Sequence, residues 1–211
     1  MKNGTLVVLL LSITLVAAPS TAQDKEHAGS GPTGISEPEK ANHKQAIESK
    51  IAGLRPGTDR IGKAYSRFHK DQVLKDSPPN SALWWNPCTR QTLTVSFDTN
   101  GVIWEVKIEP MPQTSVIFDC DSRAYSRSAR ARMGGTGHGL VFRDSCRRVR
   151  QLYGEPQRQD RSLLGDKDYD LFVYSFDRGV KQSLLTLEIT CDSARNEVQS
   201  LKLTASGTSK P

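Results

Sequence analysis

The chain has 211 residues, 36% of them hydrophobic and 25% charged, with 29 Lys and Arg against 23 Asp and Glu. That length suits one domain or two small ones, and the composition excludes a collagen-like, coiled-coil or multi-span membrane chain. The apolar residues fall into periodic segments able to build a core, which excludes wholesale disorder.

At the N-terminus Lys2 precedes Leu6–Ala18, an apolar run of 13 residues. At about 1.5 Å per residue this run is too short for a hydrocarbon core of about 30 Å, and it has the size of a signal-peptide core. Ser20-Thr21-Ala22 supplies small residues for cleavage. Residues 1–22 are therefore expected to be a signal peptide, cut near Ala22, leaving a mature chain that is periplasmic or secreted. No cysteine follows the run to accept a lipid, and no later apolar segment is long enough to span a membrane. Residues 23–35 are polar, Gly-containing and without period, which predicts a flexible tether.

A first unit is expected over residues 36–121. Ser36-Glu37-Pro38-Glu39 has the form of a capping box, and Ile47, Ile51 and Leu54 at i, i+4 and i+7 predict a helix that Pro56-Gly57 ends. Thr58 can cap a second short helix carrying Ile61, Tyr65 and Phe68 on one face. Strands follow at Leu83-Trp84-Trp85 and at Leu93, Val95 and Phe97. Asp98-Thr99-Asn100-Gly101 then predicts a tight hairpin, because Asn-Gly tolerates positive φ. The return strand is expected to place Val102, Trp104, Val106 and Ile108 on one face, and Thr114–Phe118 suggests a fourth strand.

Residues 122–138 read as an Arg- and Gly-rich linker, and the stretch 122–161 holds ten Arg against three acids. A second unit is expected over 139–205, with a tail at 206–211. Asp144 or Ser145 can cap a helix bearing Cys146, Val149 and Tyr153 on one face, stopped by Gly154 and Pro156. After a polar loop, Tyr169–Phe176 reads as a strand. Leu185, Leu187, Ile189 and Cys191 alternate as another, and a turn at Asp192–Asn196 leads to Val198, Leu201 and Leu203. Helix, strand, strand, turn and strand thus occur twice, with Phe97-Asp98 matching Cys191-Asp192. The pattern predicts an α+β fold of two tandem units, each with short helices packed on one face of an antiparallel sheet.

The four cysteines, Cys88, Cys120, Cys146 and Cys191, are even in number and lack metal-ligand spacing. In an oxidising compartment they read as two disulfides. Cys146 on the apolar helix face and Cys191 on the apolar strand face favour Cys146–Cys191, leaving Cys88–Cys120. Against this, Cys120-Asp121-Ser122 and Cys191-Asp192-Ser193 can be aligned as equivalent positions.

Gly139-Leu140, Ser145, Val149 and Leu152-Tyr153-Gly154-Glu155-Pro156 resemble the opening of the SmpA/OmlA-type outer-membrane assembly domains. Phe97–Val102 is similar to their hairpin, and Gly53-Leu54-Arg55-Pro56-Gly57-Thr58 is similar to the same opening. Two such units in tandem resemble the β-lactamase inhibitory protein fold. The resemblance covers roughly residues 40–205 and implies a concave surface that binds another protein and performs no catalysis.

Chemistry-bearing motifs are absent. There is no GxSxG, HExxH or Walker loop, and Gly134–Gly139 lacks the GK[ST] ending of a phosphate loop. Asp166, Asp168 and Asp170 are spaced like the first EF-hand ligands, but Leu171 and Asp177 stand where Gly and Glu belong. No catalytic, cofactor or metal residue is assigned. Two features point to partners. Trp84 and Trp85 are adjacent, so in a strand they face opposite ways, and one can serve as an interface anchor. Arg147 and Arg148 lie in the Arg-rich stretch and suit bidentate pairing with anions. The expected function is an exported binding module for another extracytoplasmic protein. The alternatives are a binder of anionic envelope surfaces or a hydrolase using scattered acids. Nothing supplies an aromatic platform for nucleic acid.

Overall fold

The computed structural model describes residues 46–112, 133–164, 167–177 and 184–207. Seven strands form one antiparallel sheet: β1 Ser81–Asn86, β2 Gln91–Phe97, β3 Ile103–Pro110, β4 Arg158–Leu164, β5 Lys167–Phe176, β6 Leu185–Asp192 and β7 Glu197–Ala205. Their spatial order is β1-β2-β3-β7-β6-β5-β4. The sheet is thus two up-and-down meanders, β1–β3 and β4–β7, joined where β3 pairs with β7 from Glu105–Thr204 to Ile108–Leu201. Among the described residues two eight-residue helices, α1 Ile61–Phe68 and α2 Cys146–Tyr153, complete an α+β fold. The edge strand β4 falls in a stretch that its polar composition marks as a loop. All its residues with a defined exposure are solvent-facing, so no alternation betrays it.

The core lies between the helices and one face of the sheet. Trp84 is 1% exposed, with Tyr65 and Phe68 of α1 at ring-centroid distances of 6.2 and 5.6 Å. Aromatic pairs of this kind contribute about 0.5–1.5 kcal/mol each beyond burial. Its Nε1 donates to the His69 carbonyl at 3.0 Å. In the other half, Tyr153 of α2 meets Tyr174 of β5 at 5.4 Å, over Leu187, Ile189, Val198 and Leu201. Both helices therefore cover the same face of the sheet.

The β2–β3 and β6–β7 hairpins are built alike. Asp98 Oδ1 accepts from the amides of Asn100 and Val102, and Asp192 Oδ1 accepts from those of Ala194 and Arg195. Each return strand then binds the start of its helix. Ile61 N donates to Gly101 O and Ile103 N to Asp59 O; Cys146 N donates to Asn196 O and Val198 N to Asp144 O. Past each turn the register shifts by one residue. In β3 this shift corrects the expected strand face. Trp104 is the extra residue, and Ile103 joins Val106 and Ile108 in the core.

Residues 46–54 are not the expected helix. Glu48, at 1% exposure, takes the amides of Ser49 and Lys50 on Oε1. Ala52 N donates to Gly135 O and Gly137 N to Lys50 O, so this segment is stitched to residues 133–140. Backbone pairing over long range thus overrides an apolar spacing that would also fit a helix. Ile51 and Leu54 are buried at either end of a turn through Ala52 and Gly53, both at positive φ, while Ile47 is exposed. A side chain at Gly53 would meet the Arg67 guanidinium at 2.9 Å. By the same stitching, residues 133–138 are no loose linker: Met133, Gly135 and Thr136 are buried. Thr58 does not cap α1 either. The residue before the helix is Arg60, with no side-chain cap, and Asp59 binds Arg55 N and Lys63 instead. Ser145 caps α2 by accepting from Arg148 N, and Gly154 at φ 74 closes it.

The stitch is locked by buried side chains. Glu48 Oε2 accepts from Tyr153 Oη at 2.8 Å and from His138 N at 3.2 Å, while the Thr136 hydroxyl lies 2.8 Å from Tyr153 Oη. Burial holds the Tyr153 hydroxyl far above its ordinary pKa; the Thr136 bond opposes this and the Glu48 charge adds to it. The signal peptide, the tether, the capping box, Thr114–Phe118 and Cys120 lie outside the described residues.

Cys146 is bonded to Cys191, with Cα atoms 5.9 Å apart, tying the first residue of α2 to β6. Cys88, in the β1–β2 turn, is also disulfide-bonded. The Cys146–Cys191 bridge closes a separation of 45 residues. Replacing both cysteines by alanine is expected to lower the unfolding free energy in urea by about 4 kcal/mol, on the loop-entropy relation. A loss under about 1 kcal/mol would show that packing holds the α2–β6 contact without the bond.

Candidate functional site

The alternation of β1 puts Trp84 in the core and sends Leu83 and Trp85 to the other face, which among the described residues no helix covers. Cross-strand pairing builds that face in rows. One row runs through all seven strands as Leu83, Thr94, Lys107, Lys202, Glu188, Val173 and Arg158. A parallel row places Trp85 beside Thr92 and Thr92 beside Glu109.

Where the two meanders join, Lys107 and Lys202 lie directly opposite each other. Like charges in that position repel, so each ammonium needs a carboxylate. Lys107 Nζ is 2.5 Å from Glu109 and Lys202 Nζ is 2.6 Å from Glu188. Glu105, one pleat away on the same face, completes a cluster of three carboxylates around two ammoniums. Burial raises the Glu105 pKa, and the charges of Lys202 and Lys107 only partly offset this.

The face is hollowed over this centre and beside it. A hollow of about 590 Å³ lies against Leu74, Leu83, Trp85, Thr92 and Pro110. A second, of about 470 Å³, lies against Lys107, Lys202, Glu188, Tyr169 and Leu171. Both touch Glu109 and Pro110, so they form one groove running from the β1 edge towards the β4 edge. Its ends are aromatic and aliphatic; its middle is a mixed-charge cluster.

The expected partner residues separate. Trp85 is half-buried on the open face, whereas Trp84 lies in the core and cannot touch a partner. Arg147 and Arg148 are exposed on α2, on the helix-covered side of the sheet, so they do not share a surface with Trp85. Arg148 is occupied by Asp144 at 3.4 Å and by the Gly139 carbonyl. Glu105 and Glu109 read from the sequence only as solvated carboxylates turned away from the apolar face, and the sequence does not single out Lys107, Lys202, Glu188, Tyr169 or Leu171 as site residues. Their signal was the polar half of each strand's alternation, which does not say that two meanders share one sheet. Asp168 and Asp170 do not form a metal site. Asp168 is taken by Arg161, which lowers its pKa, and Asp170 by Gln159 and Ser193. Among the described residues no cluster of three or more His, Cys, Asp or Glu could hold a metal ion.

No family model and no curated protein matches the sequence. Two solved structures are similar. One is a DUF4309 family protein from Bacillus subtilis, with 13% identity over 72% of this chain and 82% of that chain and a TM-score of 0.39. The other is described as a candidate beta-lactamase inhibitor protein from Streptococcus mutans, with 14% identity over 74% and 89% of the two chains and a TM-score of 0.26. Both are weak likenesses, and the tandem SmpA/OmlA-type organisation finds no support in them.

Glu105 carries a pH signature. The unfolded chain releases this proton first, so the group weakens folding as pH rises through the ordinary glutamate range, and the penalty levels off above the folded pKa. Glu105→Gln is therefore expected to raise stability at pH 7 and leave it unchanged near pH 3, measured by thermal unfolding at both. A loss at pH 7 would show that the attraction of Lys107 and Lys202 outweighs desolvation.

Proposed function

We propose that this chain is an exported, non-enzymatic binding module that holds another protein across the open face of its sheet. The observation that carries the reading is the groove itself. Trp85 and Leu83 stand at one end, Tyr169 and Leu171 at the other, and hydrogen-bonding charge lies between. Aromatic anchors give contact area at small entropic cost, and paired charges select register and partner. Export is supported by the N-terminal apolar run and by the Cys146–Cys191 bond. A build of two tandem units is supported by the equivalent Asp98 and Asp192 turns and by the matching contacts at the starts of α1 and α2.

The hydrolase alternative needs two carboxylates free to act at a common point. Glu109 and Glu188 are each engaged by a lysine, leaving Glu105 alone, which favours binding over chemistry. Binding of an anionic surface has its own support. Residues 46–80 and 133–157, which carry both helices, hold eleven Lys and Arg against six Asp and Glu. Such contacts weaken steeply with salt, whereas an interface anchored by tryptophan does not.

The two are separated by cross-linking capture from the native envelope with the tagged mature protein. One dominant protein is expected, lost on Trp85→Ala and kept on the double reversal Arg147→Glu, Arg148→Glu, with circular dichroism verifying the fold of each variant. Loss on the arginine reversal alone, together with release by moderate salt, would replace the sheet-face reading by the anionic one. Empty captures at low salt would sink both.

A further inference from the structure

The two rims of the sheet are finished differently. At the β1 rim the chain just before the strand lies along it. Leu74 N donates to the Leu83 carbonyl at 2.9 Å, and Leu83 N donates to the Ser77 hydroxyl at 3.2 Å, so both outward backbone groups of Leu83 are taken. The β4 rim has no such cover. Arg158–Leu163 are all solvent-exposed, and among the described residues no backbone group of β4 bonds outside its ladder with β5. An open edge of this length, with no proline and no register shift inside the strand, is a template for another strand. What guards it is charge alone, from Arg158, Asp160 and Arg161.

Those charges select the strand that fits. A second copy, related by a two-fold axis perpendicular to the sheet, meets β4 antiparallel with like faces on the same side. Centred on Gln159, the axis puts Arg158 opposite Asp160 of the second copy, and Asp160 opposite its Arg158. Within one copy Arg158 Nε already reaches Asp160 at 2.8 Å on the open face, so the contact closes as an alternating cluster of two arginines and two aspartates. Moving the axis to Asp160 sets two aspartates face to face, and moving it to Arg161 sets two arginines face to face. Directly opposed like charges are destabilising, so the pattern itself fixes the register. The head-to-tail alternative, β4 on β1, would grow into a filament, and the occupied β1 rim blocks it. We propose that β4 is a homodimerisation edge, joining two copies into one continuous sheet through an antiparallel β4–β4 pair centred on Gln159. The axis keeps both open faces on one side. On the reading of that face as the binding face, the two grooves lie side by side; the pairing itself does not rest on that reading.

The test is sedimentation equilibrium of the disulfide-intact mature protein at concentrations up to about 1 mM, the weak end of specific association. A concentration-dependent dimer is expected. Arg158→Asp and Asp160→Arg should each weaken it by about 10-fold, because each variant sets like charges opposite one another twice per interface. Mixing the two variants in equal amounts should restore the dimer. One then carries two aspartates and the other two arginines at positions 158 and 160, and every opposition in the mixed pair is attractive. Damage to the fold does not recover on mixing, and circular dichroism checks each variant alone. The edge contact is overturned if the unsubstituted protein stays monomeric at the highest concentration, or if both variants dimerise as tightly as it does. The register is overturned if the mixture associates no better than its components. A monomer that still captures a protein through Trp85 removes the dimer and leaves the binding reading standing. A dimer that captures nothing does the reverse.

Discussion

Four residue pairs between β3 and β7 make this molecule one sheet. Without Glu105–Thr204, Val106–Leu203, Lys107–Lys202 and Ile108–Leu201, the meanders would each end in a bare edge. With them, Val106, Ile108, Leu201 and Leu203 form a continuous apolar floor under both helices. The opposite sides of the same strands bring two lysines face to face, which is why three glutamates gather there. The groove, its charged centre and its apolar ends all follow from that join. On the helix side the join is repeated by the backbone stitch of residues 50–52 to 135–137, held by the Glu48–Tyr153–Thr136 cluster.

Much of the local structure was legible. Asn100-Gly101 announces its hairpin, Ser145 and Gly154 bracket α2, and the alternation in Leu185–Cys191 marks a strand with one buried face. Equating Asp98 with Asp192 also has a structural counterpart, since both carboxylates cap turn amides. What misled was spacing without context. Ile47, Ile51 and Leu54 fit a helical face, yet the backbone there pairs with residues almost ninety positions away, which no local pattern encodes. The extra residue at Trp104 swaps which apolar side chains face the core, and a bulge leaves no signature in an alternating strand. Edge strand β4 carries no apolar period because none of its residues with a defined exposure is buried.

The candidate site was legible only by halves. The pair Trp84-Trp85 forces one indole outward, but the sequence does not say which one, and burial in the α1 cage decides for Trp85. The central cluster depends on which strand neighbours which, a property of topology. Arg147 and Arg148, part of what looks like one patch along the chain, sit on the covered side of the sheet, because α2 packs there through Val149 and Tyr153.

The chain order of the join has a consequence for how the protein is made. β3 meets a partner roughly a hundred positions later in the chain, and that partner is the last of the described strands. The first meander must therefore wait, with a naked strand at its rim, until the hundred or so residues up to β7 have emerged. Such delayed, long-separation pairings close slowly, and unpaired rims are where chains stick to one another. Glu105, Lys107 and Glu109 stud that rim with alternating charge. Charges on an open edge disfavour pairing with foreign strands, and here the same side chains become part of the groove once β7 arrives.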